Sequence, residues 1–80
     1  MHVHIFRATG RVFAFTERHD GANLPARYGS WTAFKSIEMR RGEAQPGVDV
    51  DECLDDLDKY GFHLTDAHVR IDPETLSSGA

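Results

Sequence analysis

Two short apolar runs near the start of the chain are separated by a turn sequence. Val3 and Ile5 belong to the first run, and Phe13 and Phe15 belong to the second. β-branched and aromatic residues favour strands, and Ala8-Thr9-Gly10 supplies turn formers between the runs. The pattern predicts a hairpin with a three-residue loop, in which Ile5 pairs with Phe13 and Val3 with Phe15.

A helical spacing of apolar residues begins after Asp49. Asp49 stands three residues before Glu52, which resembles a capping box, and Gly61 is typical of the residue that follows a helix. The sequence therefore predicts an amphipathic helix between Asp49 and Gly61. Its apolar stripe contains Val50, Cys53, Leu54, Leu57 and Tyr60.

The other segments have weaker signals. Residues 17–29 are rich in turn formers and show no period, which predicts a long loop. Ser30 is expected to cap one helical turn through Phe34, and Ile37 and Met39 alternate with polar residues as in a half-buried strand. A final strand is predicted from the alternation of Ala67, Val69 and Ile71.

Together these elements predict an α+β fold. We expect a mostly antiparallel sheet of about four strands, in the order β-β-loop-β-α-β, with the amphipathic helix packed on one face. If the third and fourth strands are parallel neighbours, the helix forms a right-handed crossover between them. The domain is expected to span residues 1–72, followed by a disordered tail over 73–80. The predicted core contains Val3, Ile5, Phe13, Phe15, Ile37, Met39, Val50, Leu54, Leu57, Val69 and Ile71, with Cys53, Tyr60 and Trp31 at least partly buried.

The composition is that of a small globular protein. The 80 residues are 40% apolar and 28% charged, which fits one domain with one modest core. The single Cys53 excludes an intramolecular disulfide framework and favours a reducing compartment, so we expect a cytoplasmic protein. The first residues do not have the pattern of a signal peptide, and no stretch approaches the roughly 18 apolar residues of a membrane span.

Acidic residues are concentrated on the predicted helix, and the formal net charge is −4. They are Asp49, Asp51, Glu52, Asp55, Asp56 and Asp58, with Lys59 as the only cation nearby in the sequence. Like charges four residues apart destabilise a helix by about 0.2 to 0.5 kcal/mol per pair. One interpretation is a solvated face that keeps the protein soluble; the other is a surface for a basic protein partner.

The preferred functional hypothesis is a small interaction or regulatory module. It assigns partner contacts to Asp51, Asp55 and Asp58 on the helix. Leu24 and Tyr28 in the long loop are additional candidates, because exposed apolar residues within a polar rim are typical of binding surfaces.

The alternative hypothesis is a weak single-stranded nucleic-acid binder. Arg11 to Phe15 partly resembles the aromatic strand motif of RNA-recognition and cold-shock domains, in which rings stack on bases. The match is short, and the predicted hairpin places Phe13 in the core. The alternative therefore uses Phe6, Arg7 and Arg11 as contacts.

Metal binding and catalysis have little support in the sequence. His2 and His4 project from one side of the first strand and can chelate Zn²⁺ if a third ligand approaches. The candidates for that ligand are His19, Asp20, His63 and His68. Ordinary surface histidines are the simpler interpretation, and Cys53 lies in the apolar stripe, where a thiol is inert. We expect no cofactor, no metal and no enzymatic activity.

Segments 8–16, 21–26 and 49–71 are similar to those of small uncharacterised proteobacterial single-domain proteins. The resemblance spans most of the chain. It implies a bacterial origin and assigns no activity, cofactor or site residue.

Overall fold

A computed structural model describes residues 1–28 and 30–74. These residues form a five-stranded antiparallel sheet with a helix packed on one face, so the predicted α+β class is confirmed. The strand order is β3-β1-β2-β4-β5. The elements are β1 (His2–Arg7), β2 (Val12–Thr16), a 3₁₀ turn (Ala26–Tyr28), β3 (Thr32–Glu38), α1 (Val50–Tyr60), β4 (Phe62–Asp66) and β5 (Val69–Ile71).

The first two strands form the predicted hairpin in a different register. Ile5 pairs with Phe15, not with Phe13. The predicted register is wrong because the three-residue loop is Thr9 to Arg11, closed by the Ala8 N–H, which donates to the Val12 carbonyl at 3.0 Å. Since the two registers differ by an even number of residues, the apolar side chains still point to the predicted face.

The helix has the predicted ends. The Asp49 carboxylate accepts a hydrogen bond from the Glu52 N–H at 3.1 Å, and Gly61 adopts the left-handed conformation with φ 86°. The strands in closest contact with α1 are β4 and β2. The helix stripe completes a core that contains Val3, Ile5, Phe15, Met39, Val50, Cys53, Leu54 and Leu57.

The predicted helical turn from Ser30 to Phe34 is wrong, because this segment belongs largely to β3. The turn lies earlier, at Ala26–Tyr28, and the Trp31 indole N–H donates to the Pro25 carbonyl at 2.9 Å across it. β3 contains a bulge: Lys35 lies opposite Ile5 and Ala33 lies opposite Phe6, so Phe34 is the extra residue between them.

The predicted final strand corresponds to β5, which begins only at Val69, and a further strand, β4, lies before it. Ala67 and His68 have φ values of 52° and 68°, which is typical of the tight turn between antiparallel strands. β4 precedes this turn and was not predicted. Val69, expected in the core, is 69% exposed at the outer edge of the sheet. The right-handed crossover, which required the third and fourth strands to be parallel neighbours, does not form. β3 and β4 are antiparallel and lie on opposite sides of the β1–β2 pair.

The second face of the sheet is covered by the long loop. Leu24 is 9% exposed and packs with Phe6, Ala14 and Leu64. The Asn23 side-chain amide donates to the Gly61 carbonyl at 2.8 Å, which fixes the loop to the end of the helix. Leu24, Phe6, Ala14 and Leu64 thus form a second core, which the long loop closes.

Of the predicted tail, the structure describes only the first two residues. Pro73 is buried, and the Glu74 N–H donates to the Asp72 carboxylate at 3.0 Å. The rest of the predicted disordered segment, 75–80, lies outside the described residues.

We predict that Leu24→Ala lowers the free energy of unfolding by about 2 to 3 kcal/mol, since it leaves a cavity in the second core. The control Val69→Ala removes an exposed side chain and should change it by less than about 0.5 kcal/mol. Urea denaturation followed by Trp31 fluorescence measures both. Equal effects of the two substitutions would show that the loop does not seal a core.

Candidate functional site

One acid of the helix points into the protein. Asp56 is only 4% exposed. Its carboxylate accepts two hydrogen bonds from the Arg70 guanidinium, from Nε at 2.8 Å and from Nη2 at 2.7 Å. The same carboxylate lies 2.7 Å from Nδ1 of His63. Helix α1 is therefore joined by one carboxylate to β4, through His63, and to β5, through Arg70.

The ionised form of Asp56 is the favoured one. Burial alone would raise the pKa of this carboxyl, but the hydrogen bonds from Arg70 and His63 outweigh burial and hold its pKa below the usual value. Because an ionised carboxylate only accepts hydrogen bonds, Nδ1 of His63 carries the proton that is shared with Asp56.

An acid that orients a histidine is also a common arrangement in hydrolases, but here the histidine is inaccessible. His63 is 1% exposed, and its ring packs 5.4 Å from the ring of Phe15. Burial raises the pKa of the Cys53 thiol to about 12, so this sulfur is protonated at neutral pH and is a poor nucleophile. The Asp56, His63 and Arg70 cluster is therefore a structural clamp.

The acids that were expected to contact a partner are exposed, and a loop before the helix approaches them. Arg41 donates to Asp55 at 2.7 Å and lies 3.7 Å from Asp58. The Gly42 N–H donates to Asp51 at 3.2 Å. Lys59 is the only cation close to these acids in the sequence, but the fold also brings Arg41 to the same face.

The helix leaves part of its own sheet face open. An apolar groove of about 290 Å³ lies there between the sheet and the loop before α1. Phe34 is 48% exposed, and its ring lies 5.6 Å from the ring of Phe13 in an edge-to-face arrangement. The groove is lined by Ile5, Phe13, Phe15, Phe34, Lys35, Ile37, Gln45, Pro46, Gly47, Val48, Thr65 and His68.

A more polar hollow of about 310 Å³ adjoins this groove, because Gln45 and Val48 line both. Three acidic residues, Glu43, Asp49 and Asp51, are among those that line the hollow. Among the described residues that line it there is no lysine or arginine. The apolar groove thus adjoins a hollow that carries negative charge. We refer to the two together as the groove and the acidic hollow.

The loop residues proposed for partner contacts lie on the second face. Leu24 is buried in the second core, and Tyr28 is half-buried, with its ring 6.3 Å from that of Trp31. Of the candidates for nucleic-acid contact, Arg7 and Arg11 are exposed, whereas Phe6 is buried and cannot stack on a base.

The histidines proposed as metal ligands fall into three places. The rings of His2 and His4 lie 4.8 Å apart, and His19 approaches His4 at 6.4 Å. His63 belongs to the clamp, and His68 contacts the Gly47 carbonyl through Nδ1 at 3.1 Å. Within residues 1–28 and 30–74, no group of three histidine, cysteine, aspartate or glutamate side chains is arranged to hold a metal ion.

The sequence analysis missed the clamp and the groove. Asp56 follows Cys53 by three residues, which places it on the edge of the apolar stripe and could have indicated burial. His63 and Arg70 gave no such signal, because their meeting with Asp56 depends on the unpredicted strand β4. Phe34 was missed because its segment was expected to be helical.

Comparisons with known proteins identified no relative of this chain. No family model matches the chain, and neither a curated protein nor a solved structure shows a significant match. In the part of the chain that the structure describes, no helix has the length and apolar character needed to cross a membrane.

We predict that Asp56→Ala lowers the free energy of unfolding by about 3 kcal/mol or more, because it leaves the Arg70 guanidinium without its partner. Asp55→Ala is the matched control, at the helix position directly before Asp56. It removes an exposed pair with Arg41 and should cost less than about 1 kcal/mol. Chemical denaturation of both variants checks this; similar losses would mean that Asp56 is no more important than a surface acid.

The lowered pKa of Asp56 also predicts how stability depends on pH. The stabilisation is complete above the ordinary aspartate pKa of 3.8 and is lost as the pH falls through the lower pKa of the folded state. Between these values the unfolded chain binds more protons than the folded one. The difference in unfolding free energy between the wild type and Asp56→Asn should therefore shrink below about pH 4. A difference that stays constant from pH 7 to pH 2.5 would contradict this.

Proposed function

We propose that this protein is a small protein-interaction module that binds a segment of a basic partner. The segment inserts an apolar side chain into the groove and places lysine or arginine beside the acidic hollow. The observation that supports this most directly is the open apolar groove, which shares Gln45 and Val48 with a neighbouring hollow lined by three acidic residues.

The apolar contact supplies binding energy. Phe13, Phe34 and Ile37 line the groove, on the part of the helix-bearing sheet face that the helix leaves open. Burying one aliphatic or aromatic side chain of a partner there contributes about 1.5 to 3 kcal/mol. Half-exposed aromatic rings next to charged residues are typical of interaction hot spots.

The charges determine the kind of partner. Glu43, Asp49 and Asp51 surround the hollow, and the whole chain carries a net charge of −4. Asp55 and Asp58 extend the acidic surface along the helix, but Arg41 already neutralises part of it. Of the three helix acids first proposed for partner contacts, Asp51 is the one that lines the hollow.

A protein partner is favoured over a nucleic acid. Arg7 and Lys35 lie near the exposed ring of Phe34, at 5.9 and 5.6 Å from its centre, and offer a local positive charge. The carboxylates of the adjoining hollow, however, repel a phosphate backbone. The single cysteine supports action in the cytoplasm. The buried, protonated Cys53 thiol supports a role without catalysis.

The test uses the peptide Lys-Arg-Val-Phe-Val-Thr-NH₂ with fluorescein on its N-terminus, and an equally labelled charge-reversed peptide in which Glu-Asp replaces Lys-Arg. We expect Phe34→Ser to weaken binding of the basic peptide at least tenfold, or about 1.4 kcal/mol. The control Val69→Ser alters another exposed apolar residue on the opposite edge and should leave Kd unchanged. Fluorescence anisotropy measures both.

The charge requirement is tested in the same assay. The double variant Glu43→Gln with Asp51→Asn keeps the shape of the hollow and removes two charges, so it should weaken binding severalfold and reduce its salt dependence. Equal affinity of the wild type, Phe34→Ser and Val69→Ser for the peptide would contradict the proposal. So would preference for the charge-reversed peptide or for a single-stranded oligonucleotide.

A further inference from the structure

The two edges of the sheet are unequal. β5, at one edge, has three residues, whereas β3, at the other, has seven. Short edge strands resist pairing with other chains, whereas a long edge offers unpaired N–H and C=O groups to one. Along β3, six of the seven residues are exposed and only Ile37 is half-buried.

The bulge divides this edge into a regular part and an irregular part. From Lys35 to Glu38 the strand pairs with β1 residue by residue, and the Met39 N–H continues the ladder by donating to the Met1 carbonyl at 2.9 Å. Phe34 interrupts the pairing at the other end. The regular part is long enough for an added strand of about four residues, which is within the common range of strand length. At its end the outward Glu38 carbonyl already accepts from the Gln45 side-chain amide, so an added strand must share or displace that one bond.

The groove lies directly beside this edge. Phe34, Lys35 and Ile37 belong to β3 and also line the groove. Side chains on one face of an added strand recur about every 7 Å, so one of them can enter the groove while its backbone pairs with β3.

We propose that the partner segment binds as an extra antiparallel strand on the open edge of β3, with one of its apolar side chains in the groove. This inference rests on the proposed function and specifies the conformation and direction of the bound segment. The antiparallel arrangement continues that of the whole sheet.

The position of the acidic hollow sets the order of residues in the partner. The Gln45 side-chain amide donates to the Glu38 carbonyl at 3.3 Å, which holds the loop that lines the hollow at the end of β3 where the strand finishes. An antiparallel partner strand begins at that end. Its basic residues must therefore precede its apolar anchor.

Charge favours a basic segment over a second copy of the chain. Each copy carries a net charge of −4, so two copies repel each other, whereas a segment rich in lysine and arginine is attracted. We therefore infer that the segment bound at the β3 edge is an extended basic and apolar segment of another protein.

Peptides that differ only in order or in backbone methylation test the mode of binding. The forward peptide is Ac-Lys-Arg-Val-Phe-Val-Thr-NH₂, and the reversed peptide is Ac-Thr-Val-Phe-Val-Arg-Lys-NH₂. We expect the forward peptide to bind at least fivefold more tightly. Methylating the backbone nitrogens of alternate residues should weaken binding at least tenfold for one set and less than twofold for the other, because only one set faces β3. Hydrogen exchange of the β3 amides should slow on binding.

The outcomes separate the two proposals. If both methylated sets bind like the parent peptide while Phe34→Ser still weakens binding, the groove binds the side chain and strand addition is overturned. If no peptide of this composition binds, the proposed function itself fails. If the protein alone sediments as a dimer with protected β3 amides, the edge is occupied by a second copy and the inference is overturned.

Discussion

The buried carboxylate of Asp56 determines where the helix lies on the sheet. It is held by Arg70 from β5 and by His63 from β4, at distances of 2.7 to 2.8 Å, and it remains ionised inside the protein because both partners donate to it. Apolar packing of the helix stripe tolerates several similar placements better than this hydrogen-bonded cluster, whose donors and acceptor meet in one geometry. We infer that the cluster fixes α1 over the β4 side.

The open surface follows from that placement. α1 contacts β4 and β2 most closely and also packs against Val3 and Ile5 of β1. The groove lies on the same face where the helix does not reach, and residues of β1, β2, β3 and β4 line it. The opposite face is sealed by the long loop through Leu24. The fold therefore has one closed face and one half-open face, and the candidate binding surface, the long sheet edge and the acidic hollow all meet at the open half.

The sequence predicted the elements whose signals are local. Both ends of the helix were predicted correctly because Asp49 and Gly61 are local capping signals. The side chains of the first hairpin point to the predicted faces although the register was wrong, because the true register differs by two residues and alternation has a period of two. β4 was missed because both of its faces are buried: its polar His63 alternates with apolar residues yet points into the protein. The clamp was missed for the same reason, since it depends on tertiary contacts, and so was the groove, which depends on where the helix stops covering the sheet.

A double-mutant cycle between Asp56 and Arg70 measures whether the buried carboxylate and the guanidinium act together. The free energy of unfolding is measured for the wild type, Asp56→Ala, Arg70→Ala and the double variant. We expect a coupling energy of about 1.5 to 3 kcal/mol, with the double variant losing less than the sum of the single losses. Single effects that add to within about 0.5 kcal/mol would show that the two residues do not act together, and the helix would then owe its position to apolar packing alone.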